Sequence, residues 1–153
     1  MDTSLQVLTV QVVLQKKGQQ IHSVSKENTV LEAVEKMCAL KVGALLVTEN
    51  NKLVGIISER DLMTRVVLNK KDVSATRVAD VMTANPVTIT SNEKLSDAMS
   101  LMTQKRFRHL PIVDKDGKLM GMVSIGDLVR TITSAQEEMI GMLEGYITGK
   151  HMV

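Results

Sequence analysis

Apolar and polar positions along this chain follow one pattern, and the pattern occurs twice. A short apolar strand, Ile21 to Val24, is followed by the polar break Ser25-Lys26-Glu27-Asn28. Val30, Val34 and Met37 then recur at the spacing of one helix face. Two apolar strands follow, Ala44 to Val47 and Leu53 to Ile57, joined by Glu49-Asn50-Asn51, which is hairpin chemistry. A second helix is predicted to start after Ser58. The same order returns as Val87 to Thr90, Ser91-Asn92-Glu93-Lys94, a helix on Leu95, Met99 and Met102, and strands Leu110 to Val113 and Leu119 to Val123. A helix then starts after Ser124. Both runs read β-α-β-β-α.

The repetition extends to single residues. Residues 21–67 align with 86–133 at an offset of 65, which becomes 66 after one extra residue near Asp116 and Gly117. Ala33 then matches Ala98, Met37 matches Met102, Gly55 matches Gly121, Ser58 matches Ser124, and Asp61-Leu62 matches Asp127-Leu128. A unit of this size buries too little surface to stand alone. The expected fold class is therefore α/β (α+β), with two pseudo-symmetric β-α-β-β-α repeats packed sheet to sheet around one shared core. The expected divisions are 1–67 (first repeat with an N-terminal segment), 68–85 (linker), 86–133 (second repeat) and 134–153 (C-terminal helix and tail). Leu128, Ile132, Ala135, Met139, Leu143 and Tyr146 form one apolar stripe that runs past the repeat, as a helix covering a partner surface or the other end of the module would.

Composition narrows the function classes. The 153 residues carry a net charge of only +2, with one Phe, one Tyr and no Trp. Nucleic-acid binding is disfavoured, because the chain lacks both a basic excess and rings on which bases stack. Lys16-Lys17 and Lys70-Lys71 read as solvated pairs. Of the 11 methionines, Met37, Met82, Met99, Met102, Met120 and Met122 fall in apolar patterns and read as core filler. Cys38 has no disulfide partner and reads as a small core residue, which suits a cytoplasmic setting. No secretory leader and no apolar run long enough for a bilayer is legible.

The candidate chemistry lies where a strand runs into a helix: Gly55-Ile56-Ile57-Ser58-Glu59-Arg60-Asp61, and Gly121-Met122-Val123-Ser124-Ile125-Gly126-Asp127. Backbone N–H groups at a helix start attract anions, and the serine hydroxyl adds a donor. Three residues on, a carboxylate is suited to read a ribose diol. Ser-x-x-Asp is also close to the capping-box pattern, in which the acid only reaches back to the cap N–H. Both readings stand on the sequence. Gly126 leaves room near the backbone, and Lys105-Arg106-Phe107-Arg108-His109 brings positive charge before the second hairpin. The same residues suit a solvated helix end.

Two β-α-β-β-α repeats, each ending in Gly-x-x-Ser-x-x-Asp, resemble the tandem CBS (cystathionine beta-synthase) domain pair, or Bateman module, of stand-alone bacterial type. Val81-Met82-Thr83 to Pro86-Val87, Arg108-His109-Leu110-Pro111-Ile112-Val113 and Ser124-Ile125-Gly126-Asp127-Leu128-Val129 carry the likeness. The resemblance implies phosphate contact at Ser58 and Ser124, with Glu59, Arg60, Ile125 and Gly126 beside them. It implies ribose contact at Asp61 and Asp127. It places adenine near Ile21, His22 and Ser23, and near Val87 and Thr88. Arg108 and His109 would approach phosphate. The first repeat has Gly43 and Ala44 there instead, so Arg60 or Arg65 would supply charge.

The implied function is a regulatory sensor that binds AMP, ADP, ATP or NAD and signals to a separate, unidentified protein. It would be a homodimer with neither a membrane span nor a catalytic cofactor. The alternative is a dimeric interaction scaffold whose clefts are vestigial or take another ligand. An enzyme is not expected: no nucleophile–base grouping is present, and His22, His109 and His151 lack metal-ligand spacing.

Overall fold

The computed structural model describes residues 8–18 and 20–148. Helix α1 (Val10–Lys17) precedes the first repeat, which comprises β1 (Ser23–Ser25), α2 (Val30–Leu40), β2 (Ala44–Glu49), β3 (Lys52–Ser58) and α3 (Glu59–Asp61). A π-helical turn, Leu62–Val67, prolongs α3. Next come α4 (Val78–Val81) and β4 (Thr83–Ala84). The second repeat comprises α5 (Leu95–Lys105), β5 (His109–Val113), β6 (Leu119–Ser124) and α6 (Ile125–Thr148). The fold is mixed α/β with two sheets, one of order β1-β2-β3-β4 and one of β5-β6. β1 is parallel to β2; the other pairs are antiparallel.

Local chemistry explains the elements. Thr29 and Glu32 form a capping box that starts α2. Asn50 and Asn51 both adopt positive φ, as the two-residue turn of the first hairpin requires. In β2 the run from Ala44 to Val47 is buried on both faces, whereas β3 and β6 alternate. Cys38 is exposed rather than core. The buried stripe of α2 is Val30, Ala33 and Met37, and Cys38 sits one position around the helix from it.

The strand expected at Val87 to Thr90 narrows to a single parallel bridge, Ile89 with Ile112. Proline is the cause. In the first repeat Leu46 donates its N–H to the carbonyl of His22 at 3.1 Å. Pro111 occupies the equivalent position and has no N–H to give. Only the bonds Ile89 N to Pro111 O (3.1 Å) and Val113 N to Ile89 O (2.9 Å) remain.

The single shared core is also corrected: the buried residues form two clusters. One holds Val24, Val30, Ala33, Met37, Leu45, Val47 and Ile57 with Val78 and Val81 from α4. The other holds Leu95, Ala98, Met102, Leu110, Ile112, Val123 and Leu128 with Val10, Val13 and Leu14 from α1. Each repeat is thus completed by the segment that precedes the other one. The backbone repeats the arrangement. Val30 N bonds Thr76 O (2.8 Å) and Val78 N bonds Asn28 O (2.8 Å). Likewise Leu95 N bonds Leu8 O (2.9 Å) and Val10 N bonds Glu93 O (2.9 Å). The N-terminal segment, grouped with the first repeat in the sequence, therefore packs with the second. The linker does more than connect, since it supplies core residues and the strand β4.

Glycine in the Gly-x-x-Ser-x-x-Asp run has a packing reason. A Cβ on Gly55 would stand 2.6 Å from Met82 Sδ and 3.0 Å from the carbonyl of Thr83. A Cβ on Gly121 would stand 3.2 Å from Leu14 Cδ2. Each glycine thus lets the borrowed segment lie against the sheet.

Candidate nucleotide clefts

Both motif serines cap the helices that follow them. In the first repeat Ser58 donates its N–H and hydroxyl to Asp61 Oδ2, at 2.9 and 3.0 Å. Asp61 Oδ1 accepts the hydroxyl of Thr83 at 3.1 Å, and Arg65 Nε lies 3.9 Å away. In the second repeat Ser124 N–H donates to Asp127 Oδ2 at 2.8 Å, and Asp127 N–H donates to Ser124 Oγ at 3.1 Å. Lys17 Nζ donates to the same Oδ2 at 2.7 Å and to the carbonyl of Met122 at 2.9 Å. Arg130 Nη2 donates to Oδ1 at 2.6 Å. Both aspartates are buried. Burial alone would push the Asp127 carboxyl up, but Lys17 and the Ser124 donors together hold it below its usual value.

The capping reading of Ser-x-x-Asp is thus realised at both motifs. It does not exclude ligand contact, because a carboxylate offers about four lone-pair sites.

Parts of the two candidate clefts meet between the repeats. Glu59 N bonds Gly43 O at 3.0 Å, and its counterpart Ile125 N bonds Arg108 O at 2.8 Å. Each motif helix is therefore fastened to the residue before its own hairpin. A Cβ on Gly43 would lie 3.1 Å from Glu59 Oε1 and 3.4 Å from His109 Cε1, so a second-repeat imidazole reaches the first-repeat motif. Arg60 Nη1 donates to Arg106 O across the same boundary at 3.4 Å. Burial lowers the pKa of His109, and the charges of Lys17 and Arg108 lower it further. Glu59 and Asp127 act in the opposite direction. The room expected at Gly126 is taken up by neighbouring side chains: a Cβ there would be in van der Waals contact with Ser124 Oγ at 3.6 Å and Arg130 Nη1 at 3.4 Å.

The adenine-side residues are less gathered. Ala44 pairs with Ser58 across the first hairpin, and Ser23 pairs with Leu46 on the far side of β2. Ile21, His22 and Ser23 therefore lie about two strand spacings, ~10 Å, from the Ser58 strand. Ser23 also lines a polar groove of about 570 Å³ with Asn28, Glu32, Glu35, Lys36 and Thr48. That groove does not include Ser58 or Asp61, and its polar groups bond one another, as in Asn28 to Glu32 at 3.0 Å. It is not where the motif chemistry converges. Val87 and Thr88 are exposed.

Three partners of the motif carboxylates lie outside the sequence reading. Arg130 was legible, since it stands three residues after Asp127 on one helix. Thr83 and Lys17 reach their aspartates from 22 and 110 residues away, and no local pattern announces them. Lys17, read as solvated surface, is an ion-pair partner. Among the described residues no group of three or more His, Cys, Asp or Glu side chains could hold a metal ion, and no helix is long and apolar enough to cross a membrane.

Comparison with known proteins agrees with this architecture. The CBS domain family matches residues 17–68 and 78–134. The chain is 35% identical over 157 residues to the mitochondrial CBS domain-containing protein CBSX3 of Arabidopsis thaliana, covering 97% of this chain and 76% of that one. Longer curated relatives are spanned over only 19% of their length. A protein with CBS domains from Burkholderia ambifaria superposes with a TM-score of 0.80 at 39% identity, over 84% of this chain and 96% of that one. CBSX2 of Arabidopsis thaliana, solved in complex with AMP, superposes with a TM-score of 0.70 at 31% identity, over 84% and 98%. With both halves matched and both motifs in equivalent places, the chain belongs to the CBS-domain family as a tandem pair.

Proposed function

We propose that this protein is a sensor module that binds adenosine nucleotides at its two Ser-x-x-Asp motifs and passes occupancy to a separate protein without chemically changing the ligand. The observation that carries the reading is the second cleft. Ser124 and Gly126 stand at the start of a 24-residue helix, beside a buried carboxylate that two basic side chains, Lys17 and Arg130, both contact. A helix start with cations suits a phosphate, and a buried carboxylate suits a diol. The AMP complex of CBSX2 supports the same ligand class. In this reading Ser58, Asp61, Ser124 and Asp127 bind phosphate and ribose, with Arg108 and His109 on phosphate. Ile21 to Ser23, and Val87 with Thr88, flank adenine.

Calorimetry with AMP, ADP, ATP and NAD, followed by analysis of the recovered ligand, tests the reading. Saturable binding with the ligand recovered intact is expected. Sustained product formation would exclude a pure sensor, and no binding to any of the four would exclude the nucleotide.

One observation favours a dimeric scaffold as the second reading. The stripe on α6 is buried at Leu128, half-buried at Ile132, Ala135 and Met139, and exposed at Leu143 and Tyr146. A second copy would cover it. Light scattering on the full chain and on one ending at Thr133 decides the point: dimer and monomer respectively are expected, and a full-length monomer at micromolar concentration ends the idea. A reducing, cytoplasmic setting suits the exposed thiol of Cys38.

A further inference from the structure

The second cleft contains a lysine from outside both β-α-β-β-α units. Lys17 is the last residue of α1, the helix whose apolar face completes the second core. Its ammonium takes Asp127 Oδ2 while Arg130 takes Oδ1, so each carboxylate oxygen carries a cation. With Ser124 N–H these fill three of its about four lone-pair sites, so a ribose diol that donates both hydroxyls to Asp127 must displace one of the present partners. The two cations are not equivalent. Arg130 lies three residues along the same helix with its side chain 73% exposed, an arrangement worth little when broken. Lys17 is half as exposed, at 36%, and is also fixed by the Met122 carbonyl.

Resting on the nucleotide reading above, we propose that Lys17 is the residue that makes the second cleft select phosphorylated ligands. It neutralises Asp127 when the cleft is empty and turns to the ligand's phosphate when ribose takes the carboxylate. The reason is charge balance. When Lys17 leaves, Asp127 keeps Arg130 at 2.6 Å, but the ammonium loses its anion unless another arrives. A nucleoside brings none; a nucleotide brings its own anion.

The distance to be covered is short. Asp127 Oδ2, which Lys17 holds, also accepts the N–H of Ser124, whose hydroxyl, the proposed phosphate contact, accepts the N–H of Asp127. Rotation about the flexible lysine stem spans that gap without moving α1. The first cleft lacks the device. Asp61 Oδ1 takes the neutral hydroxyl of Thr83, and its cation, Arg65, stays at 3.9 Å. Displacing a hydroxyl strands no charge, so the first cleft distinguishes nucleotide from nucleoside less sharply.

The test isolates the second cleft by placing Asp61→Ala in every chain, then titrates AMP and adenosine by calorimetry. With Lys17→Met, AMP affinity is expected to fall about tenfold while adenosine is unchanged or tighter. Lys17→Arg keeps the charge and is expected to keep the preference for AMP. The same AMP-to-adenosine ratio in the parent and in Lys17→Met overturns the proposal, and so does an equal loss of preference in Lys17→Met and Lys17→Arg. Asp127→Ala separates the two levels of inference. If that chain still binds AMP like the parent, the nucleotide reading of the cleft fails. If it loses AMP while Lys17→Met keeps the parent ratio, only the role of Lys17 fails.

Discussion

The two repeats share one motif and one order of elements, yet they present their aspartates to different neighbours. Asp61 meets a hydroxyl and a distant guanidinium; Asp127 meets two cations in direct contact. At the residue before each Leu-Leu or Leu-Pro pair, the first repeat has Ala44 and the second has His109. The differences come from the segments each repeat borrows. α4 runs into β4 and brings Thr83 to the first cleft, whereas α1 stays helical to Lys17 and brings an ammonium to the second. A duplicated unit can thus keep its core and motif while the connecting chain sets the charge of each site.

The largest effect that can break this comparison is removal of the borrowed helix. A chain starting at residue 20 loses Val10, Val13 and Leu14, which are at most 6% exposed. Burying side chains of this kind stabilises by ~1.5–3 kcal/mol each, so about 5 kcal/mol or more should be lost. The loss should be confined at first to the second repeat. Hydrogen exchange should show amides of β5 and β6 opening before those of β2 and β3. Equal protection in both halves would show that the cores are not independently completed.

Next in size is Gly55→Ala. The new methyl would overlap Met82 Sδ and press on the Thr83 carbonyl, which is backbone and cannot swing away. Overpacking of this kind costs ~1–3 kcal/mol. Because β4 must move, Thr83 should also leave Asp61, and the first cleft should weaken while the second keeps its affinity. A melting curve and a two-site titration read both effects. A parent-like melting temperature would mean that the close approach of β4 is unimportant.

Asp127→Ala and Asp61→Ala set the motif's two roles against each other. Loss of a cap costs ~0.5–2 kcal/mol of stability and leaves the affinity of the surviving fold nearly unchanged. Loss of a charged acceptor for a diol weakens binding by roughly tenfold or more. Each variant should therefore lose affinity at its own cleft beyond what its melting temperature explains. If Asp127→Ala melts earlier but binds AMP like the parent, the residue is a cap alone.

Much of this was legible in the residues because it is local. Period-2 and period-3.6 patterns located α2, α5 and both hairpins, and the offset of Gly55, Ser58 and Asp61 onto Gly121, Ser124 and Asp127 exposed the duplication. What was not legible depends on distance along the chain. Val10 and Val78 look like ordinary apolar positions, and nothing nearby says that each belongs to the more remote repeat. Lys17 resembles any surface lysine until α1 is placed against β6 and α6. The strand at Val87 failed for a local reason that could have been read: Pro111 stands where Leu46 donates.

The smallest predicted effect concerns pH and again separates the repeats. His109 lies half-buried among Lys17, Arg108, Glu59 and Asp127, and its pKa is lowered from the usual 6.5, first by burial and then by Lys17. The unfolded chain therefore binds a proton near pH 6.5 that the folded chain resists. By linkage, stability is full above pH 6.5 and declines as pH falls below it, until the folded imidazole also protonates. Asp127 adds nothing to this window. Its carboxyl is held below the usual 3.8, so its contribution persists above that value and is lost only in stronger acid. The first repeat has Ala44 at the equivalent position and cannot contribute in the same way. Denaturant midpoints at pH 7.5 and pH 5.5 should therefore differ in the parent, with the lower value at pH 5.5. His109→Gln should reduce that difference, while Ala44→Ser, which places no titrating group there, should leave it intact. An unchanged difference in His109→Gln would assign the pH response to another group and remove this asymmetry between the repeats.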